Sequence, residues 1–400
     1  MKVVQINATC GAGSTGKICI SISQALNRKG IENYVLYSLG HSTYKESQSY
    51  CSPLLQKLQA FYEKVVGLYG FGAFISTRNL IRELKKLKPD IVHLHNIHSH
   101  DCELSTLFHY LKEKRIKVFW TFHDCWAFTG YCTYFDYISC NKWMSICSEC
   151  PQYKQFSLLF DKSKKNFLLK REILKGLDLQ IITPSKWLSD LSKKSFLADY
   201  PVHVINNGID LDLFKPTKGE FRYNYNCENS FLILGIANVW EARKGLNTFI
   251  NLANDLDKRY RIVLIGTDDM IDKTLPDGII SIHRTHDQKE LVSIYSSVDV
   301  LVNPTLEDNF PTVNLEALAC GTPVITYDTG GSGEMLDETC GIVVKRNDYN
   351  KLLNSIRDLC EAAFIKRENC RLKALEFDQN KIFKNYIDLY IKTCDSTNQR

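Results

Sequence analysis

Hydrophobic and polar positions alternate along this chain in short blocks. Residues 2–7 (KVVQIN) form a compact apolar run, followed by a glycine-rich turn and a stretch over 15–29 with apolar residues every three or four positions. The first pattern predicts a buried strand and the second an amphipathic helix. Further strand patterns lie at 34–37, 91–95, 116–122, 179–183 and 202–205, with helical patterns at 77–87 and 103–114 among them. At 231–237 (FLILGIA) the series restarts, with a helix at 244–256 and strands at 261–265, 279–283, 298–303 and 323–327. Strand–helix repeats of this kind predict parallel sheets covered on both faces. The expected fold is α/β, with two doubly wound domains facing each other across a cleft. Residues 1–206 would form the first domain and 230–377 the second, with polar 207–229 as the linker. A last helix within 378–400 would cross back to the first domain.

Length agrees with two domains, since 400 residues exceed one ordinary core. Charge adds something that periodicity does not. Residues 1–216 hold 28 Lys and Arg against 18 Asp and Glu, whereas 217–400 hold 22 against 27. A basic half joined to an acidic one predicts an anionic partner, either a lipid surface or a pyrophosphate. Nucleic acid fits poorly, because no recognition-helix motif or aromatic–basic ladder is present. The uncharged run 65–77 is too short for a bilayer span of about 20 residues and is a candidate for interfacial insertion or for packing in a core. No signal-peptide pattern precedes the first strand, so the expectation is a cytoplasmic chain with reduced thiols.

Candidate chemistry collects at predicted strand ends, where open parallel sheets bind ligands. The first loop runs from Cys10 to Gly16, and Gly11, Gly13, Ser14 and Thr15 open a helix whose free amides would suit phosphate. The tight-turn reading stands beside it. It matches neither the dinucleotide fingerprint nor the P-loop. His123 and Asp124 follow another strand, and His93, His95 and His98 a third. In the second half, Arg243 and Lys244 follow the strand 231–237 and would neutralise a pyrophosphate. Asp308 lies in an acidic loop, with Asn309, Phe310, Pro311 and Thr312 leading into a helix that carries Glu316. The two carboxylates suit sugar and ribose hydroxyls, or else a cap and a solvated side chain. The glycine-rich 329–334 follows a further strand. Cys132, Cys140, Cys147 and Cys150 fall within a Cys-rich insertion at about 125–151. They are enough for a structural zinc, and buried free thiols are the alternative.

The run DNFPTVNLEALACGTPV, with Asp308 and Glu316 eight apart, resembles the signature of retaining glycosyltransferases of family four. KPDIVHLHN (88–96), TFHD (121–124), PSKWL (184–188) and INNGIDLDLFKP (205–216) fit that family in order and separation. The GSTG loop and the Cys-rich stretch are most similar to the colanic-acid, capsule and O-antigen enzymes of bacteria. The resemblance implies a GT-B fold of two Rossmann-like domains, with the acceptor side in 1–206. It implies a hexose moved from a nucleoside-diphosphate sugar, uridine favoured over guanosine, to a lipid-linked or saccharide acceptor in cell-surface polysaccharide synthesis. His123 and Asp308 would act at the donor sugar, Glu316 at the ribose, and Asn309, Phe310, Pro311 and Thr312 through backbone amides. Arg243 and Lys244 would face the diphosphate, and Gly11, Gly13, Ser14 and Thr15 would close over it. No metal would be required for catalysis, and the enzyme would sit peripherally on the inner face of the cytoplasmic membrane. Two positions depart from the family: Asp308 replaces its usual Glu, and Val239 stands where an Arg is common. A sugar-nucleotide epimerase of the same fold and a non-catalytic carbohydrate- or nucleotide-binding subunit are the alternatives.

Overall fold

The computed structural model describes residues 1–398, with side chains through Asp395. The last two positions of the predicted 378–400 segment lie outside the described residues. The chain forms two compact units: Met1–Asn206 joined by the chain from Asn380 onward, and Asn207–Gln379.

The first unit is built on seven parallel strands, β1 (Lys2–Asn7), β2 (Glu32–Tyr37), β3 (Ser47–Ser49), β4 (Ile91–Leu94), β5 (Lys117–Thr121), β6 (Leu179–Thr183) and β7 (Val202–Val204). Their order is β3-β2-β1-β4-β5-β6-β7, so the direction of winding reverses between β1 and β4. Apolar periodicity does not announce β3, which reads Ser-Gln-Ser and pairs through its backbone at the sheet edge, Val35 opposite Ser47. The helix Gln379–Asn398 packs on this unit, burying Ile382, Phe383, Tyr386, Ile387 and Tyr390 with Val3, Ile22 and Phe119. Each such side chain contributes about 1.5–3 kcal/mol on full burial, which is enough to hold a terminal helix in place.

Run 65–77 divides between its two sequence readings. Tyr69, Phe71 and Ala73 are buried, and only Phe74 and Ile75 of its large apolar side chains are exposed. The run is the junction of two helices, Pro53–Val66 and Phe74–Leu87, and its Tyr69 and Phe71, with Leu68 beside them, supply core.

The second unit carries β8 (Phe231–Ile236), β9 (Tyr260–Ile265), β10 (Ile279–Ile282), β11 (Val300–Asn303), β12 (Val324–Asp328) and β13 (Gly341–Lys345). Their order, β10-β9-β8-β11-β12-β13, reverses between β8 and β11. Residues 207–229, polar enough to read as a linker, fold into this unit. Ile209 donates its N–H to the Phe377 carbonyl at 2.8 Å, and Phe214, Phe221 and Cys227 enter the core. The Arg371 guanidinium fastens the segment by donating to the carbonyls of Phe214 (2.6 Å), Ala319 (2.9 Å) and Leu211 (2.9 Å). A distant arginine satisfying three carbonyls leaves no trace in local hydropathy. None of the described helices is long and apolar enough to cross a membrane.

Candidate functional site

Both reversal points gather polar side chains, as open α/β sheets require of a ligand crevice. In the second unit, Arg243 and Lys244 sit on a short turn after β8 and Asp308 on the loop after β11. The Lys244 ammonium donates to the Asp308 carboxylate at 2.5 Å, and Arg243 lies 3.9 Å from the same oxygen. Arg243 also donates to the Glu307 carbonyl at 2.6 Å. Glu307 is fully buried, whereas Asp308 keeps part of its carboxylate accessible. The fold thus separates the two neighbouring acids that composition leaves equivalent.

The 329–334 segment braces this loop. Gly331 donates to the Asp308 carbonyl at 3.0 Å, and Thr329 Oγ1 donates to the Thr305 carbonyl at 2.7 Å. Gly330 has φ 58°, and a Cβ there would stand 1.8 Å from the Asp308 carbonyl oxygen. Only glycine allows so close a backbone approach.

The helix Thr312–Ala319 begins after Pro311 without a side-chain cap. The Asn309 N–H is taken by Asp308 Oδ1 at 2.9 Å, and Pro311 has no N–H. The amides this stretch can offer an anion are therefore those of Phe310 and Thr312, while the Phe310 ring turns inward onto Phe377. Glu316 accepts the Tyr295 hydroxyl at 2.8 Å, which fixes its carboxylate from beneath. On the same unit, a cavity of about 420 Å³ opens beyond β8, β9 and β10, lined by Asn238, Val239, Trp240, Gly266, Thr267 and His283 among others.

In the first unit the glycine loop closes on itself. Gly11 donates to the Gly16 carbonyl at 3.1 Å, and Gly11 and Gly13 adopt φ of 82° and 65°. The helix starts at Gly13, earlier than periodicity predicts, and has no side-chain cap, so its first amides face outward with Ser14 and Thr15.

Across the reversal point and beyond β5 stands a histidine array. His95 Nδ1 lies 3.0 Å from His123 Nε2, and the rings stack 5.3 Å apart at 18°. His95 Nε2 meets Gln5 Oε1 at 3.1 Å, while Gln5 Nε2 donates to the Cys19 carbonyl. The amide orientation makes His95 Nε2 the donor, so neutral His95 presents a lone pair at Nδ1 and His123 donates to it. His123 then carries its proton on Nε2 and a lone pair on Nδ1. Burial pushes the His123 imidazole down to about 4, against an opposing pull from Asp124. Burial likewise holds His95 well below its ordinary value and His93 at about 3.

Asp124 does not serve as the partner of His123 that adjacency implies. It accepts from His98 Nε2 at 2.9 Å and from the Trp126 N–H at 2.9 Å. Burial alone would lower His98, but Asp124 outweighs it and holds the imidazole above its usual range. His95 is the orienting residue, which the sequence sets beside His93 and His98 without a role of its own; the alternation in HLHNIHSH was its signal. In the insertion, Cys132 and Cys150 bring their sulfurs to 3.8 Å, and Cys140 and Cys147 line the same small cavity.

The model of glycosyltransferase family four matches residues 15–213, and that of glycosyl transferases group 1 matches 230–362. The chain belongs to glycosyltransferase family four. Among relatives of this glycosyltransferase, a putative colanic acid biosynthesis glycosyl transferase of Escherichia coli K12, WcaC, is 21% identical across 98% of this chain and 99% of its own length. The N,N'-diacetylbacillosaminyl-diphospho-undecaprenol alpha-1,3-N-acetylgalactosaminyltransferase of Campylobacter jejuni is 27% identical over 46% of this chain and 52% of its own. The structure of Anabaena Alr3699/HepE in complex with UDP superposes with a TM-score of 0.69 at 14% identity, covering 98% of this chain and 100% of that one. The fold is GT-B, and the chain is a hexosyltransferase.

Proposed function

We propose that this glycosyltransferase moves a hexose, with retention of configuration, from a nucleoside-diphosphate sugar to a lipid-linked or saccharide acceptor in cell-surface polysaccharide synthesis. The observation that carries the reading is the Lys244–Asp308 pair at the reversal point of the second sheet. Before donor binds, each charge is satisfied by the other. A bound diphosphate draws Lys244 and Arg243 toward itself and releases the Asp308 carboxylate to accept hydroxyls of the sugar. Positive charge held in place at the departing diphosphate is the largest expected catalytic effect, aided by the open start of the Thr312–Ala319 helix. Glu316, fixed by Tyr295, accepts from the ribose. In the first unit, unprotonated Nδ1 of His123 accepts from a sugar hydroxyl, and the glycine loop offers amides to the phosphates.

Uridine is the favoured nucleoside and guanosine the second; HepE, with the same fold, binds UDP. The Campylobacter relative acts on a diphospho-undecaprenol-linked substrate by its name, which supports a lipid-linked acceptor here. An anionic membrane surface at the inner face is the matching partner, and the first unit has a face for it. On the helix Pro53–Val66, Leu54, Leu58 and Phe61 are exposed at 70%, 60% and 66%. Leu158, Leu159 and Phe160 are exposed on a loop tied to that helix, Leu158 donating to the Lys64 carbonyl at 2.8 Å. Lys57, Lys64 and Lys162 accompany these apolar side chains, and about 1 kcal/mol per basic residue is expected at an anionic surface.

Calorimetric titration with UDP, GDP and ADP, followed by NMR of the anomeric proton of the product, tests the reading. Binding of one nucleoside diphosphate that weakens in Glu316→Ala, with an axial-to-axial transfer, is the expected result. Absence of nucleotide binding, or a donor converted without an acceptor, would overturn it, the latter in favour of an epimerase.

A further inference from the structure

We infer that Cys132, Cys140, Cys147 and Cys150 bind one structural zinc ion that staples the insertion at 125–151. The segment is long and irregular, holding only three short turns, Trp126–Phe128, Asp136–Ile138 and Lys142–Met144. Segments of such length inside a compact domain ordinarily need a device to order them. Its aromatic side chains Trp126, Phe128, Phe135 and Trp143 dock into the core.

The geometry of the sulfurs points to the ion. In a tetrahedral site with Zn–S of about 2.3 Å, neighbouring sulfurs are about 3.8 Å apart. Cys132 and Cys150 stand 3.8 Å apart. All four cysteines line one cavity of about 20 Å³, room for a single water-sized sphere. The Cys147–Cys150 knuckle is already folded back, with Glu149 at φ 46° and Lys142 donating to the carbonyls of Ser148 and Glu149. Cys147 Sγ accepts the Gly130 N–H at 3.3 Å and Cys132 Sγ faces Gln152 Nε2 at 3.6 Å, so both sulfurs already stand as acceptors. Among the described residues the only trio of ligand atoms gathered within 4.8 Å of one another is Asp269, Asp272 and His283. Cys140 and Cys147 therefore complete the set by turning into the cavity they line.

Charge gives an independent argument. Lys170 is fully buried, with its ammonium 3.6 Å over the Trp126 ring and donating to the carbonyls of Trp126 (2.7 Å) and Thr129 (3.0 Å). Its acidic neighbours are Asp124, already paired with His98, and the sulfurs of Cys147 and Cys132. A buried ammonium needs a counter-charge. Zinc held by four thiolates carries a net charge of minus two beside it, the four thiol protons passing to solvent on binding.

The test uses the full chain purified without chelator. Elemental analysis is expected to find one equivalent of zinc, and exchange with cobalt(II) to give thiolate-to-cobalt charge-transfer absorption with tetrahedral d–d bands. Cys147→Ser and Cys140→Ser lose the metal, whereas Asp269→Asn retains it. A native chain without metal, whose four thiols react freely with an alkylating reagent, overturns the proposal. So does cobalt that binds without thiolate charge transfer, a readout taken on the unmodified chain and therefore independent of whether a variant folds.

Discussion

At the scale of single residues, the Lys244–Asp308 contact assigns both partners a cost as well as a use. Lys244→Ala removes fixed charge from the departing diphosphate, and turnover is expected to fall about 10²–10³-fold. Asp308→Asn acts differently. It frees Lys244 from its neutralising partner, so the product diphosphate should bind more tightly while turnover falls. Steady-state kinetics together with calorimetry of the nucleoside diphosphate separate the two, and equal losses of binding in both variants would refute the competition. The histidines make a prediction in pH. His93 at about 3 and His123 at about 4 lie below the unfolded value near 6.5, so the unfolded chain takes up protons first as pH falls. The stability they contribute is complete above about 6.5 and is lost as pH drops toward 4. His98, raised by Asp124, runs the opposite way and is one group against three with His95. Urea midpoints measured from pH 7 to pH 5 should decline, and His123→Gln should flatten that decline.

At the scale of elements, helix starts and glycine loops do what strand ends alone do not. Gly330 is the case at the site, because an added Cβ would collide with the Asp308 carbonyl. Gly330→Ala should displace the Asp308 loop and weaken donor binding while leaving most of the sheet intact, a combination that nucleotide titration beside far-ultraviolet dichroism can read. Arg371 matters in another way. Truncating it strands the carbonyls of Phe214, Ala319 and Leu211, and Arg371→Ala is expected to destabilise the second unit by about 3 kcal/mol in chemical denaturation. The helices near 15–29, 77–87, 103–114 and 244–256 and most strands were legible because their apolar positions recur with period 3.6 or in short buried runs. The edge strand Ser47–Ser49 was not, since an edge needs backbone pairing rather than apolar side chains.

At the scale of the whole molecule, the exposed apolar face of the first unit belongs with its excess of basic residues. Leu58→Glu with Phe61→Glu should abolish flotation with anionic vesicles while leaving nucleotide binding unchanged; persistent flotation would dismiss that face as the membrane contact. Sequence by itself determined the two α/β repeats, the family and the positions of Lys244, Asp308, Glu316 and His123, because periodicity and motif spacing are local properties of a chain. Only the tertiary structure decided that Asp308 pairs with Lys244 while Glu307 is buried, that His95 rather than Asp124 orients His123, and that 207–229 folds into the second unit. Each of those outcomes depends on which distant groups a fold brings within hydrogen-bonding reach: 64 residues separate Lys244 from Asp308, and 28 separate His95 from His123. Desolvation, which sets the charge state of those same groups, follows from that packing and has no counterpart in the order of residues along the chain.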